Sequence, residues 1–309
     1  MNSPVKEFFA LGLTGYPLER SLSPRLHTAA LRDCGLWGDY RLYPIPQLPA
    51  GRMQMQALMD DLRRGRLDGL NVTIPHKQSV IPYLDELTPL ARQVGAVNTI
   101  FRAGESLVGD NTDAEGFMAD LQHHLPGDNP RRSALVLGAG GAARAVVHAL
   151  SVENWRVTVA ARRMEQAHAL LSSMSLSTVL NSVISLDALA EYLTAATQTR
   201  MDTHSGNSTS SQAAQNLPEV NVNTTPMGMF PDSDRSPWPQ GVPFPNGAFV
   251  YDLVYKPAET LLVSAARSAG RQAANGLGML VEQAALSFER WTGMRPSIDA
   301  LRQEISGIS

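Results

Sequence analysis

The chain has 309 residues, 43% hydrophobic and 18% charged, which is the usage of a folded globular protein and more length than one hydrophobic core usually serves, so two domains are expected. A formal charge of -3 without blocks of like charge offers no net attraction to phosphate backbones or anionic lipid, which argues against nucleic acid and membrane as partners. The single cysteine, Cys34, excludes an internal disulfide and a cysteine metal cluster; with no signal-like or membrane-length apolar run, the expected location is the cytoplasm and no metal site is read.

Residues 9–15 read as a buried strand entering a glycine turn, and helical spacing follows over 24–34. Alternation then continues, with a strand at 39–44, a helix at 53–64, a strand at 69–74, helical spacing at 78–84 and a strand at 96–102. Strands alternating with helices imply parallel pairing and an α/β layer architecture. A polar, proline-bearing stretch at 126–132 marks a domain boundary. Beyond it come an apolar strand at 133–137, a glycine turn at 138–141, a helix at 142–150 and a strand at 155–160. Residues 197–215, rich in Ser, Thr, Asn and Gln, read as a solvated surface insertion. A strand at 251–254 precedes helical periodicity over 259–269 and 279–291.

Gly138-Ala139-Gly140-Gly141-Ala142-Ala143 fits G-x-G-x-x-A between a strand and a helix, the context in which this pattern indicates a dinucleotide. Gly138 permits the tight turn, Gly140 lets backbone approach a pyrophosphate, and Ala143 lets helix and strand pack closely, while the helix N-terminus presents unpaired N–H groups. An NAD-selective site usually ends its second strand with a carboxylate for the ribose hydroxyls. Here that strand ends Ala160-Ala161-Arg162-Arg163, and two guanidinium groups favour a 2′-phosphate, hence NADP.

Other strand ends carry Ser21 and Ser23, Asn71, Thr73 and Lys77, Asn98, and the Gly109-Asp110-Asn111-Thr112-Asp113 loop. Each alone is more often a turn or a surface salt bridge. Together they offer hydroxyls, amides, a lysine and a carboxylate where α/β folds bind ligands, a set suited to a polyhydroxy acid.

In this order the segments resemble the shikimate dehydrogenase (shikimate/quinate dehydrogenase) family. Its S-x-S-P matches 21–24, N-V-T-x-P-x-K matches 71–77, G-A-V-N-T matches 95–99 and G-D-N-T-D matches 109–113. G-A-G-G-A matches 138–142, N-x-T-x-x-G-M resembles 223–229, and G-L-G-M-L-x-x-Q-A matches 276–284. Departures are Ala161, where the family usually has Asn, Gln166 in place of a basic residue, Ala114 and Asn275.

The resemblance implies two α/β domains: a substrate-binding and catalytic domain of residues 1–113 plus 257–309, its C-terminal helices packing back on the N-terminal part, and a Rossmann-type NADP-binding domain of residues 114–256. It implies that Lys77 and Asp113 form the catalytic pair, that Ser21 and Ser23 bind the substrate carboxylate, and that Asn71, Thr73, Asn98, Asp113 and Gln283 hold ring hydroxyls. Tyr255 is implied to lie near substrate, and Gly138, Gly140, Gly141, Ala142, Arg162, Arg163, Thr225, Met227 and Gly276 to line the cofactor. The implied activity is NADP-dependent reversible reduction of 3-dehydroshikimate to shikimate by a monomer or homodimer. Two alternatives stay open: a quinate or quinate/shikimate dehydrogenase, and a noncatalytic dinucleotide-binding regulator, against which the presence of both Lys77 and Asp113 argues.

Overall fold

The computed structural model describes residues 8–125, 132–174, 181–194 and 217–306. The chain divides into two compact units, Met1–His123 with Gly278–Ile308, and His124–Leu277. In the first, β1 (Phe9–Gly15), α1 (Ser23–Asp33), β2 (Gly38–Pro44), α2 (Arg52–Arg63) and β3 (Gly69–Val72) follow the expected alternation closely. Helix α2 illustrates why: Met55, Leu58, Met59 and Leu62 recur at helical spacing, and their buried stripe packs on Leu70, Val72, Ile100 and Leu107 of the sheet.

Past β3 the alternation stops. A short β4 (Glu86–Leu87), α3 (Pro89–Val94), β5 (Thr99–Ala103), β6 (Ser106–Asp110) and α4 (Asp113–His124) follow. The sheet order is β2-β1-β3-β5-β6-β4, with β3–β5 and β5–β6 antiparallel, so the uniform parallel pairing expected from the sequence does not hold here. The reason is length: Gly104 and Glu105 alone separate β5 from β6, with Gly104 at φ +63, a hairpin turn, whereas a parallel return needs a crossover of about a dozen residues. Where helical spacing was read at 78–84 the chain makes turns and one 3-10 turn at Ile81–Tyr83, because Pro82 has no N–H for an α-helical ladder. The strand expected at 96–102 begins only at Thr99. The loop read at 109–113 is divided between the end of β6 and the first turn of α4.

The second unit holds β7 (Ser133–Leu137), α5 (Gly141–Val152), β8 (Arg156–Ala161), α6 (Met164–Ser173), β9 (Ser182–Ser185), β10 (Val220–Asn223), β11 (Phe249–Asp252), α7 (Leu261–Ser268) and β12 (Ala273–Asn275). All its strand pairs are parallel, in the order β12-β11-β10-β7-β8-β9. Counted from β7 this is the doubly wound dinucleotide-binding order, whose crevice opens at the strands' carboxyl ends. Leu135, Leu137, Ala160 and Val250 of the sheet pack with Leu262 and Ala266 of α7 and with Trp238 and Phe244. The insertion at 197–215 and residues 126–131 of the boundary stretch lie outside the described residues.

The chain then forms α8 (Leu277–Thr292) and α9 (Ile298–Ile305). Helix α8 packs tightly on α4: a Cβ on Gly116 would stand 2.8 Å from the Gln283 backbone nitrogen. Helix α9 is tied to α1, with Arg32 Nη2 2.9 Å from Glu304 Oε2 and the Ser297 N–H donating to Asp33 at 2.8 Å. The units differ from the expected allocation at two places. α4 groups with the first unit, through that contact with α8, and residues 257–277 group with the second, since β12 pairs with β11 there.

Candidate active site

The antiparallel turn-back of β5 shapes the first unit's polar edge. Because β5 runs against β3 and β6, its N-terminal end lies beside their carboxyl ends, with Thr99 opposite both Asn71 and Asp110. Asn98 thereby joins Thr73 and Lys77, which follow β3, and Asp113, which opens α4 after β6. Lys77 Nζ donates to Asp113 Oδ2 at 2.6 Å, with the two side chains only 17% and 6% exposed. A backbone bond from the Val97 N–H to the Lys77 carbonyl, 2.7 Å, ties the lysine's loop to the strand that carries Asn98. Asn98 Nδ2 donates to Asp113 Oδ1 at 3.0 Å and lies 3.3 Å from Gln283 Oε1. Lys77, Asn98, Asp113 and Gln283, spread over 207 sequence positions, thus form one hydrogen-bonded group.

Ser21 and Ser23 lie where the chain enters α1. No side chain caps this helix from its N-cap residue, Leu22, and the Ser23 N–H instead donates to Ser21 Oγ at 3.2 Å. Ser23 makes no side-chain hydrogen bond among the described residues although it is buried. The Ser21 hydroxyl keeps its own proton for an acceptor. Two hydroxyls at a helix N-terminus fit a carboxylate. Thr73 is partly buried, its N–H bonded to the Thr14 carbonyl at 2.9 Å.

In the second unit every residue expected to line a cofactor follows a strand's carboxyl end. Gly138 leaves β7 at φ +113, and a Cβ there would stand 2.6 Å from Thr224 Oγ1, so glycine is required. Gly140 precedes α5 without capping it, and a Cβ on Gly140 would meet nothing within 4 Å. The N–H groups of the first turn, at Gly141 and Ala142, precede the helix's own hydrogen-bond ladder, and both residues are partly exposed. Arg162 and Arg163 follow β8; both are exposed, and among the described residues neither pairs with Glu165 or another acid. Thr225 follows β10, its N–H and hydroxyl both donating to Asn223 Oδ1 at 2.9 and 2.7 Å, and the Met227 N–H donates to Thr225 Oγ1 at 3.2 Å. Tyr255 follows β11, and Gly276 follows β12 so closely that a Cβ would stand 2.2 Å from the Leu253 carbonyl oxygen.

Buried Asp252 joins these loops. Its Oδ1 accepts from Asn223 Nδ2 at 2.8 Å and the Val254 N–H at 3.0 Å, and its Oδ2 accepts from the Thr260 hydroxyl at 2.6 Å. Burial lifts its carboxyl from 3.8 to about 6 against the pull of those hydrogen bonds.

Known proteins share this arrangement and sequence. The profile of the shikimate dehydrogenase substrate binding domain matches residues 13–100, and that of the shikimate 5'-dehydrogenase C-terminal domain matches residues 276–305. The chain is 39% identical over 302 residues to a shikimate dehydrogenase (NADP(+)) of Salinibacter ruber, covering 94% of this chain and 96% of that one. The chain belongs to the shikimate dehydrogenase family. Shikimate 5-dehydrogenase from Thermus thermophilus, solved with NADP(H) and shikimate, superposes with a TM-score of 0.76 at 32% identity, covering 96% of this chain and 98% of that one. Quinate dehydrogenase from Corynebacterium glutamicum, solved with NAD, superposes at 0.78 with 29% identity, covering 97% and 99%.

In this member of the shikimate dehydrogenase family, several residues to which sequence reasoning gave no role of their own hold the site. Asp110, 2% exposed, accepts from Arg290 Nε at 2.8 Å and from the Thr88 hydroxyl at 2.6 Å, fastening β6 to α8 and α3. Asn111 Oδ1 accepts the Ala114 N–H at 3.2 Å at the start of α4. Beneath the pair, Thr99, Thr112 and Ser287 form a buried hydroxyl cluster, with Ser287 Oγ 2.7 Å from Thr99 Oγ1 and 3.0 Å from Thr112 Oγ1. Ser287 stands four residues after Gln283 on one helix face, a spacing visible in the sequence; nothing in the sequence singled out Arg290. Asn71 is among the expected hydroxyl holders, but its amide is engaged inside the protein, by Tyr40, Asn98 and Ser287.

Proposed function

We propose that this chain catalyses the reversible, NADP-dependent reduction of 3-dehydroshikimate to shikimate, a step of aromatic amino acid (chorismate) biosynthesis. The observation that carries the reading is the Lys77–Asp113 pair, 2.6 Å apart and hydrogen-bonded onward to Asn98 and Gln283. The first unit binds substrate and carries the acid–base group, and the second holds NADP. Ser21 and Ser23 take the ring carboxylate, and Thr73, Asn98, Asp113 and Gln283 the ring hydroxyls. In the oxidative direction Lys77 accepts the proton of the reacting hydroxyl; in the reductive direction it returns that proton to the carbonyl oxygen. Asp113 orients the lysine and balances its charge.

The second unit fits the cofactor. Open space over Gly140 and the N–H groups of the first turn of α5 suit a pyrophosphate, the exposed guanidinium groups of Arg162 and Arg163, unpaired among the described residues, suit the 2′-phosphate, Thr225, Met227 and Gly276 take the nicotinamide end, and Tyr255 lies toward the substrate. NADP, when bound, supplies or takes the hydride at the alcohol carbon. The enzyme acts as a monomer or homodimer in the cytoplasm; the single cysteine supports a reducing compartment, and among the described residues no helix is long and apolar enough to cross a membrane.

A quinate or quinate/shikimate specificity is the second reading, favoured by the likeness to the quinate dehydrogenase. Purified protein offered shikimate or quinate with NADP or NAD, followed by absorbance of the reduced nicotinamide, separates the two. Highest kcat/KM with shikimate and NADP is the expected result. Preference for quinate selects the second reading, and no turnover with either acid leaves a noncatalytic binder.

A further inference from the structure

The contacts that hold the Lys77–Asp113 pair extend well below the substrate edge. Asn98 Oδ1 accepts the Thr112 backbone N–H at 2.8 Å, and since that group can only donate, Asn98 Nδ2 must face Asp113. The Asn98 backbone carbonyl can only accept, and it takes Asn71 Nδ2 at 3.1 Å. That contact fixes which way the Asn71 amide points. Its second N–H goes to Ser287 Oγ at 3.0 Å, and its Oδ1 accepts the Tyr40 hydroxyl at 2.8 Å. Both Asn71 N–H groups are therefore directed at Asn98 and Ser287, beneath the pair, whereas Asn98 keeps one N–H on Asp113 within it.

Tyr40 is itself immobilised. Its ring stacks on His27 with centroids 4.4 Å apart and planes 5° from parallel. His27, fully buried, lies 5.1 Å from the Trp291 ring, whose Nε1 donates to the Ile100 carbonyl at 3.0 Å. Burial pushes the His27 imidazole down to about 3, Asn71 opposing, so the stacking partner is neutral at physiological pH.

We propose that Tyr40 and Asn71 are positioning residues for the catalytic pair, acting through a buried relay that runs from Tyr40 to Asn71, Asn98, Asp113 and Lys77. This deepens the shikimate dehydrogenase reading, on which it rests, and moves Asn71 from the hydroxyl holders to the support beneath them. The two amides, Asn71 and Asn98, have neighbours that accept only one orientation, because reversing either sets oxygen against oxygen or leaves a buried group unpaired, and the Asn98 N–H so directed holds one oxygen of Asp113 while the other takes Lys77. Orientation chosen at Tyr40 is thereby passed to Lys77.

Tyr40→Phe tests the relay, since it keeps the ring and its stack and removes only the hydroxyl. Steady-state kinetics and NADP binding are measured on the wild type, Tyr40→Phe and Asn71→Ala. In parallel the Lys77 ammonium is titrated by NMR of ε-13C lysine; the chain has three lysines, Lys6, Lys77 and Lys256, so Lys77→Arg assigns the signal. Expected for Tyr40→Phe are a kcat lower by roughly 3 to 10-fold, KM for shikimate and NADP affinity nearly unchanged, and a Lys77 signal that differs from that of the wild type. A kcat and a Lys77 signal equal to wild type, whatever happens to thermal stability, overturn the proposal. So does an Asn71→Ala variant that raises KM for shikimate while keeping kcat, which returns Asn71 to substrate contact. If the unmutated protein turns over neither acid, the functional reading fails, and the Lys77 titration, which needs no substrate, still decides the relay.

Discussion

Ser21 Oγ accepts the backbone N–H of Ser23 at 3.2 Å, so the two serines of the first strand-end turn are not equivalent. Ser21 supports the start of α1 and offers one proton outward, whereas the Ser23 side chain has no hydrogen bond among the described residues. Losing a hydrogen bond to a charged group costs about 1.5 to 3 kcal/mol, so Ser23→Ala raises KM for shikimate roughly tenfold or more with little change in Tm. Ser21→Ala raises KM comparably and also lowers stability by about 1 kcal/mol, the usual worth of one hydrogen bond. Unchanged KM for both variants would remove the serines from carboxylate binding.

Lys77→Ala lowers kcat by about 10² to 10⁴ with a smaller effect on KM, the range for loss of a positioned acid–base group. Asp113→Asn keeps the shape of the contact but not its charge and falls short of that loss. Stopped-flow turnover at saturating shikimate and NADP measures both, and a Lys77→Ala enzyme near wild-type kcat would be incompatible with the proton-transfer role.

In the proposed site Arg162 selects the cofactor. A guanidinium grips a 2′-phosphate with parallel charged hydrogen bonds but meets only a neutral hydroxyl in NAD. With about 1.5 to 3 kcal/mol in that contact, Arg162→Ala cuts kcat/KM for NADP by roughly 10 to 150-fold and leaves NAD almost unaffected. Equal loss with both cofactors places the residue elsewhere.

Asp252 makes stability depend on pH in a direction unusual for a carboxylate. Its folded value of about 6 lies above the ordinary 3.8, so the folded protein holds this proton more tightly than the unfolded chain. The associated stability is complete below 3.8, declines as pH rises toward about 6, and is constant above that. Asp252→Asn is accommodated, since the Thr260 hydroxyl that now donates to Oδ2 is able to turn and accept. Thermal denaturation from pH 4 to 7 reads the difference between wild type and variant: a pH-dependent gap between about 4 and 6 that flattens above is expected, and a constant gap throughout refutes the linkage.

Local signals that were used read well. The apolar run of β7, the glycine turn after it and the buried stripe of α2 each follow from short-range spacing, and each stands within two residues of its expected place. Others were present but passed over: Thr88 at the N-cap, Pro89 at the first turn and Gly95 at φ +68 punctuate α3 fully, and Thr88 Oγ1 accepts the Ala91 N–H at 3.1 Å. The hairpin at Gly104 carried a turn signal as well, and the expectation of continued parallel alternation overrode it.

The family resemblance was enough to expect Lys77, Asp113, Asn98 and Gln283 in one site, and short-range spacing was enough to read the dinucleotide-binding turn, because motifs and turns depend on identity and local order. Which way an amide faces does not. Asn71 and Asn98 read alike in the sequence, yet Asn98 directs its amide nitrogen at Asp113 while Asn71 gives both N–H groups to Asn98 and Ser287. That difference arises from groups 31 to 216 positions distant from Asn71, at Tyr40 and Ser287, brought together by the antiparallel reversal of β5 and the packing of α8. Orientation in a buried network is set by obligate donors and acceptors that only the folded chain makes neighbours.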